Sequence, residues 1–219
     1  SAKLRLTEDG TLEGDIRVET TGHHATEERL TYSSGSPAEY ETSFKEDLKE
    51  RLPAADVSDI RVENPLDSSK PFVYAYKINV PAYAERTGRR LFLKPSYFQY
   101  GRKPLFTAAE RRNPVYFSFP WSEDDTVLIE LPSGYTLESP DAPAPVVVGK
   151  MSEYKVKMAV LNGRTLEYRR SFYFGGGGVI LFPRESYSQL KSVFDSLDRN
   201  DNHIVTLKQS DQQPVRKSP

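Results

Sequence analysis

The sequence predicts a mainly β protein of the α+β type, with an antiparallel β-sandwich-like fold and two amphipathic helices. Residues 12–20 alternate apolar and charged side chains with a period of two, as in a strand with one solvated face. Residues 71–80 are rich in aromatic and β-branched side chains, which favour a pleated sheet. Asn162-Gly163 separates two further stretches of this kind and is a strong signal for a hairpin turn.

Shorter strands are expected along the rest of the chain. They cover residues 57–62, 91–93, 115–120, 126–131, 146–148, 153–161, 165–174, 179–182 and 203–208. The stretches 115–120 and 126–131 are predicted to form a hairpin around the polar residues Ser122 to Asp125. This prediction places the carboxylates of Glu123, Asp124 and Asp125 in a solvated loop.

The first helix is predicted from Ser36 to Leu52. Ser36 and Glu39 have the spacing of a capping box, and Pro37 suits the first helical position. An apolar stripe follows at intervals of four: Tyr40, Phe44, Leu48 and Leu52.

The second helix is predicted from Pro183 to Leu197. Its stripe comprises Tyr187, Leu190, Val193, Phe194 and Leu197. Residues 25–32 are equally compatible with a short helix or an edge strand.

Composition narrows the function classes. The chain has 30 basic and 31 acidic residues, so no global field attracts nucleic acid or an anionic membrane. It has no cysteine, which excludes disulfides, thiolate metal sites and cysteine nucleophiles. We expect no membrane span and find no apolar signal core at the N-terminus.

The chain is predicted to form a single β-rich accessory domain over residues 1–209. A subdivision near residues 102–113 is the alternative, because this part of the chain lacks periodicity. Residues 210–219 are predicted to be a disordered tail. Ser1-Ala2 reads as an expression scar, and the chain as a piece cut from a longer protein.

The motifs that carry chemistry are weak, so we expect no catalytic residue, no metal and no cofactor. His23 and His24 point to opposite sides of an extended chain and are better explained as a surface pair in a turn. Asp198, Asn200 and Asn202 copy part of a calcium loop, but the glycine and glutamate of that loop are missing, so a helix-ending turn is favoured. A hydrolase built from carboxylates that meet only in space stays open.

One stretch combines basic and aromatic residues. Residues 85–112 hold eight basic residues against two glutamates, and 13 of the chain's 25 aromatic residues lie between Phe72 and Trp121. Two explanations remain open: core rings with a solvated basic rim, or a surface that binds a protein or a sugar. Nucleic acid is the least favoured ligand. The candidate binding residues are Arg102, Arg111, Arg112, Tyr97, Tyr100 and Trp121.

Three short motifs carry a resemblance to a known family. They are Pro104-Leu105-Phe106-Thr107, Arg112-Asn113-Pro114-Val115 and Leu131-Pro132-Ser133-Gly134-Tyr135, supported by Asp9-Gly10, Arg169 and Tyr187. In order and spacing, residues 9–209 resemble the C-terminal β-rich region of bacterial multidomain proteins built around a transglutaminase-like domain.

The resemblance implies a non-catalytic accessory domain of an exported protein, periplasmic or secreted. The family's catalytic cysteine, histidine and aspartate belong to the preceding papain-fold domain, and none can be assigned here. The implied partner is that upstream domain, on which this chain would dock. The alternative is a carbohydrate or cell-envelope binding module that uses residues 72–121.

Overall fold

The computed structural model describes residues 1–139 and 141–210, so the predicted tail lies outside the described residues except for Ser210. The described residues form fourteen strands and three α-helices, with 3-10 helices at Tyr97–Gln99, Gly176–Gly178 and Arg184–Ser186. The strands are β1 (Ala2–Leu6), β2 (Leu12–Thr20), β3 (Asp56–Glu63), β4 (Phe72–Val80), β5 (Glu85–Thr87), β6 (Arg90–Leu93), β7 (Val115–Tyr116), β8 (Trp121–Glu130), β9 (Tyr135–Leu137), β10 (Val146–Val148), β11 (Ser152–Leu161), β12 (Thr165–Phe174), β13 (Leu181–Phe182) and β14 (Val205–Gln209). The helices are α1 (Gly22–Ser33), α2 (Pro37–Arg51) and α3 (Tyr187–Asp201).

Eight strands form the main sheet, in the order β10-β11-β12-β8-β1-β2-β4-β3. Its neighbouring strands are antiparallel except β1 and β8, which run parallel. A four-stranded sheet, β5-β6-β14-β9, and a two-stranded ribbon, β13-β7, complete the β-structure. The prediction of a mainly β fold with antiparallel sheets is therefore confirmed.

The two larger sheets contribute to one hydrophobic core. The inward positions of the main sheet alternate along each strand, as at Leu4 and Leu6 of β1 and Val127 and Ile129 of β8. The buried residues of the four-stranded sheet that join this core are Leu91, Leu93, Tyr135, Val205 and Leu207. The alternating pattern of the sequence thus fixes which face of each strand is buried.

The opposite face of the main sheet is charged and exposed. Cross-strand ion pairs lie on it, including Arg17 with Glu63 at 2.8 Å and Lys77 with Asp59 at 3.0 Å. Exposed pairs of this kind contribute little to stability, so this face serves mainly to keep the sheet solvated.

The two predicted helices are present. In α2, the Ser36 side chain accepts a hydrogen bond from the Glu39 amide, and the Glu39 carboxylate accepts one from the Ser36 amide, so the capping box is confirmed. The second helix begins at Tyr187, because Pro183 leads into the 3-10 turn Arg184–Ser186 instead of opening the helix. The ambiguous residues 25–32 belong to α1, a third helix that the sequence did not decide.

The predicted hairpin around Ser122 to Asp125 is wrong. Residues 121–130 form one continuous strand, β8, which pairs along its whole length with β12. The stretch expected to be its hairpin partner contributes only Val115 and Tyr116, which pair with β13. The polar residues Ser122 to Asp125 predict a turn, but β8 makes ten consecutive pairs with β12, which keep these residues in a strand.

The hairpin at Asn162-Gly163 is confirmed. Both residues adopt positive φ, 49° and 66°, which the tight turn between β11 and β12 requires. None of the helices among the described residues is both long and apolar enough to cross a membrane.

Replacing the N-cap serine of α2 tests the local account of this helix. Ser36→Ala removes the acceptor for the Glu39 amide and should lower the free energy of unfolding by about 1 kcal/mol in urea denaturation. Ser43→Ala, at an exposed interior position of the same helix, is the control and should change it by less than about 0.5 kcal/mol. Equal effects of the two substitutions would contradict the capping account.

Candidate functional site

The aromatic residues predicted to bind lie largely inside the protein. Tyr97 is completely buried, with its hydroxyl 3.1 Å from that of Tyr76, so it is a core residue and offers no surface to a partner. Tyr100 is half-buried, with its ring centroid 4.6 Å from that of Tyr83. Trp121 is half-buried, 5.0 Å from Phe174 in an aromatic cluster.

The predicted basic residues are on the surface. Arg102, Arg111 and Arg112 are exposed and belong to residues 101–114, here called the basic loop. Arg111 lies with its guanidinium carbon 5.6 Å from the ring centres of both Phe106 and Tyr187. The structure therefore separates the six predicted residues into a surface group of arginines and a mostly packed group of rings. A binding role for the arginines stays a prediction.

The structure places the histidines at the start of α1 and the calcium-like stretch at the end of α3. His23 and His24 are exposed in the first turn of α1, and not in a loop as predicted. Asn202 ends α3, with its side chain bonded to the Asp198 carbonyl oxygen, as a helix-ending turn requires. In the described part of the chain, no group of three or more histidine, aspartate or glutamate residues is arranged to hold a metal ion.

A buried ionic cluster lies at the centre of the C-terminal half. The guanidinium of Arg170, of which 4% is exposed, donates two hydrogen bonds to Asp201: Nε to Oδ1 at 2.8 Å and Nη2 to Oδ2 at 3.2 Å. Its Nη1 lies 2.7 Å from Glu123 Oε2 and 3.5 Å from Asp125 Oδ2. We call these four residues the Arg170 cluster.

Neutral groups complete the surroundings of the cluster. The Tyr154 hydroxyl donates to Asp201 Oδ1 at 2.8 Å. The side-chain amide of Gln99 donates to Glu123 at 3.1 Å and to Asp125 at 3.4 Å. The ring centres of Tyr154 and Phe172 lie 5.3 and 5.5 Å from the guanidinium carbon. The guanidinium is therefore held by hydrogen bonds in its plane and by ring contacts.

Strand register explains how the cluster forms. Arg170 of β12 is paired directly with Asp125 of β8, and Phe172 with Glu123, so these four side chains share the inner face of the sheet. Asp201 comes from the last turn of α3, where a carboxylate is unfavourable beside the helix dipole unless a cation compensates it. The cluster therefore fastens the end of α3 to the sheet.

Three carboxylates face one guanidinium in the Arg170 cluster. The pKa values of all four groups are shifted from their usual values. Burial raises the pKa of Asp125 and of Asp201, and the attraction of Arg170 only partly opposes this. For Glu123, burial acts in the same direction, but the charges of Arg170 and Arg102 outweigh it and lower the pKa. Burial would lower the pKa of Arg170, yet its three carboxylates raise it.

The interactions of the cluster hold β8, β12 and α3 together. Burial, together with the charge of Asp201, raises the pKa of Tyr154 far above its usual range, so the phenol stays protonated and acts as a donor. The carboxylates are mostly buried and engaged by Arg170, Gln99 or Tyr154. The arrangement can take up a proton, because two of its carboxyl pKa values are raised.

The sequence carries one signal for the cluster. Arg170 falls at an inward position of the alternating stretch that includes Leu166, Tyr168 and Phe172. An arginine in such a position requires carboxylate partners. Its neighbour Arg169, which supported the resemblance, is exposed and pairs with Glu167. Glu123 and Asp125 cannot be recognised as partners of Arg170 from the sequence, because their polar neighbours predict a loop and not the strand β8.

Removing the central cation should strongly destabilise the domain. Arg170→Met leaves three carboxylates without their cation, so we expect a loss of about 3 kcal/mol in the free energy of unfolding at pH 7. The deficit should shrink at acidic pH as those carboxyls become protonated. Arg169→Met, at the exposed neighbouring position, is the control and should cost less than about 0.5 kcal/mol. Chemical denaturation between pH 4 and pH 8 measures both, and a loss independent of pH would contradict this account.

Neutralising a carboxyl whose pKa is raised should stabilise the domain, in contrast to the loss expected for Arg170→Met. A raised folded-state pKa means that Asp125 adds stability while protonated and loses this contribution as the pH rises through that pKa. Asp125→Asn mimics the protonated form, so the variant should be more stable than the wild type at pH 7, and this difference should vanish at low pH. Asp124→Asn, on the exposed side of the same strand, is the control. If Asp125→Asn destabilised the protein at pH 7, the pKa of Asp125 could not be raised, and this account would be wrong.

Comparison with known proteins gives one finding. A family model described as "Domain of Unknown Function with solved-structure structure (DUF3858)" matches residues 89–207, just over half of the chain. The search of curated proteins and the search of solved structures gave no match. The matched segment includes the basic loop and all residues of the Arg170 cluster. The chain therefore belongs to the DUF3858 family of domains of unknown function.

Proposed function

We propose that this chain is a non-catalytic accessory domain that docks on a neighbouring protein domain. The observation that supports this proposal is an exposed apolar pair, Tyr116 and Leu181, next to the basic loop. These two residues are paired directly across the ribbon β7-β13 and are 65% and 61% exposed. Tyrosine and arginine are enriched in protein interfaces, and the exposed leucine adds apolar area that a partner would cover.

The ribbon that carries Tyr116 and Leu181 is packed against the core of the protein. Its other face carries Val115 and Phe182, which are buried. The Phe182 ring centre lies 5.6 Å from that of Phe174 and 5.8 Å from that of Phe117. A surface that is already ordered loses little conformational entropy on binding, which favours affinity.

The basic loop is also anchored. Phe106 is buried with its ring centre 5.6 Å from Tyr187 and 5.2 Å from Phe194, both of α3. The Tyr187 hydroxyl donates to the carbonyl oxygen of Ala108 at 2.6 Å. The loop carries four basic residues and one glutamate, so a partner with an acidic surface is the best match.

The partner we propose is the transglutaminase-like domain expected upstream in the same polypeptide. This part of the proposal depends on the resemblance of residues 9–209 to the C-terminal region of transglutaminase-like proteins. The same resemblance is the basis for proposing a periplasmic or secreted location. The absence of cysteine supports a non-catalytic role for this chain, because it excludes a cysteine nucleophile.

The arrangement of rings favours docking over sugar binding. Sugar-binding platforms need exposed aromatic faces. Of the thirteen aromatic residues between Phe72 and Trp121, Tyr116 is the exposed one, and the others are buried or half-buried. A carbohydrate or cell-envelope function through residues 72–121 therefore has less support.

Docking can be tested with the domain encoded upstream of this chain, expressed separately. Charge reversal in Arg111→Glu/Arg112→Glu and loss of the apolar contact in Tyr116→Ser should each weaken binding by about tenfold or more, measured by calorimetry. Lys157→Glu, an exposed reversal on β11, is the control and should leave the affinity unchanged. Unchanged binding by both surface variants would discard this surface, and absence of a transglutaminase-like domain upstream would discard the partner.

A further inference from the structure

A second surface lies between α1 and the loop of residues 64–71. It is an open groove of about 720 Å³. Leu30 on the helix and Leu66 on the loop line this groove, and they are 65% and 83% exposed. Exposed leucines that share one groove leave apolar area in water, which a binding partner would remove.

The charged side chains that line the groove are all basic. They are Arg29 and Lys70, and no carboxylate is among the lining residues, all of which the structure describes. Lys70 is paired with Asp67 at 3.0 Å. The guanidinium of Arg29 is held instead by backbone carbonyls, with Nη2 donating to Asp67 at 2.9 Å and to Lys70 at 2.5 Å.

The guanidinium of Arg29 is incompletely satisfied. Its Nε is buried without a hydrogen-bond partner among the described residues, so a ligand in the open groove would meet the charge of this side chain and not this atom. Its recorded hydrogen bonds go to neutral carbonyl oxygens, so its positive charge has no carboxylate hydrogen-bonded to it within the described chain. A carboxylate supplied from outside would compensate this charge.

We propose that this groove binds a segment of a partner protein in which a carboxylate stands next to aliphatic side chains. The carboxylate would pair with Arg29, and the aliphatic side chains would cover Leu30 and Leu66. A protein segment fits better than a small molecule, because small ligands are usually enclosed and these two walls are open to solvent.

The groove lies at the same end of the main sheet as the ribbon. β2 runs into α1 at the end of the sheet where β8 begins, since β2 is antiparallel and β8 parallel to β1. His23, which lines the groove, stacks on Phe119 with ring centres 4.6 Å apart, and Phe119 is three residues from Tyr116. The inference rests on the proposed docking function and extends its interface to the N-terminal part of the chain.

Short labelled peptides test the groove without the upstream domain. The probe is a fluorescein-labelled twelve-residue peptide that contains Glu-Leu-Leu-Glu, and its counterpart has lysine at both glutamate positions. Fluorescence anisotropy should show binding of the acidic peptide and at least about tenfold weaker binding of the lysine peptide.

Variants assign this binding to the groove. Leu66→Ser and Arg29→Gln should each weaken binding of the acidic peptide by about tenfold. Val147→Ser, at a residue 55% exposed on β10 and outside the groove, should not weaken it. Leu66 is so exposed that its substitution leaves folding intact, which circular dichroism checks.

Three results would overturn the inference: no binding of the acidic peptide, equal binding of both peptides, or equal loss in Leu66→Ser and Val147→Ser. None of them bears on the docking of the upstream domain through the basic loop and the ribbon. Conversely, peptide binding that depends on Leu66 would survive a failure of the docking test, so the two proposals can fail separately.

Discussion

The structure depends on the ionic contact between Arg170 and the carboxylates that surround it. A guanidinium this deeply buried carries a large desolvation cost, and only well-directed hydrogen bonds offset that cost. The contact joins β12, β8 and the end of α3, three elements far apart in sequence. A polar cluster of this kind specifies one arrangement of these elements, since any other arrangement leaves a buried charge without a partner.

The helix α3 links this cluster to the proposed docking surface. Asp201, in its last turn, is held by Arg170, and Tyr187, in its first turn, holds the basic loop through Ala108. Phe194, between them, contacts Phe106 of the same loop. The shape of an irregular surface loop is thus determined by a helix whose other end is fixed in the interior. This explains how fourteen residues without regular secondary structure can present arginines in fixed positions.

Much of the fold could be predicted from the sequence, because local patterns and tertiary pairing agree there. The capping box at Ser36, the turn at Asn162-Gly163, the alternation in β2 and the strands predicted at residues 71–80 and 165–174 all correspond to observed elements. The prediction failed where the two conflict. Residues 122–125 look like a loop, but pairing with β12 makes them part of a strand.

Because residues 122–125 were predicted to form a loop, the Arg170 cluster could not be predicted either. A cluster assembled from three elements leaves no local motif, and the sequence shows only a charged residue at an inward strand position. The exposure of Arg102, Arg111 and Arg112 could be inferred from the sequence, because a charged residue in an irregular stretch lies at the surface unless it is paired. The apolar pair of the ribbon, Tyr116 and Leu181, could not be predicted, since its residues are 65 positions apart and meet only through β7 and β13.

Hydrogen exchange measured by mass spectrometry tests most directly whether Arg170 fixes the basic loop through α3. The measurement compares Arg170→Met with Leu48→Ala, a core variant of α2 expected to cost a similar 3 kcal/mol or so. The account predicts faster exchange in residues 101–114 and 187–201 for Arg170→Met than for Leu48→Ala. The same exchange pattern in both variants would contradict it.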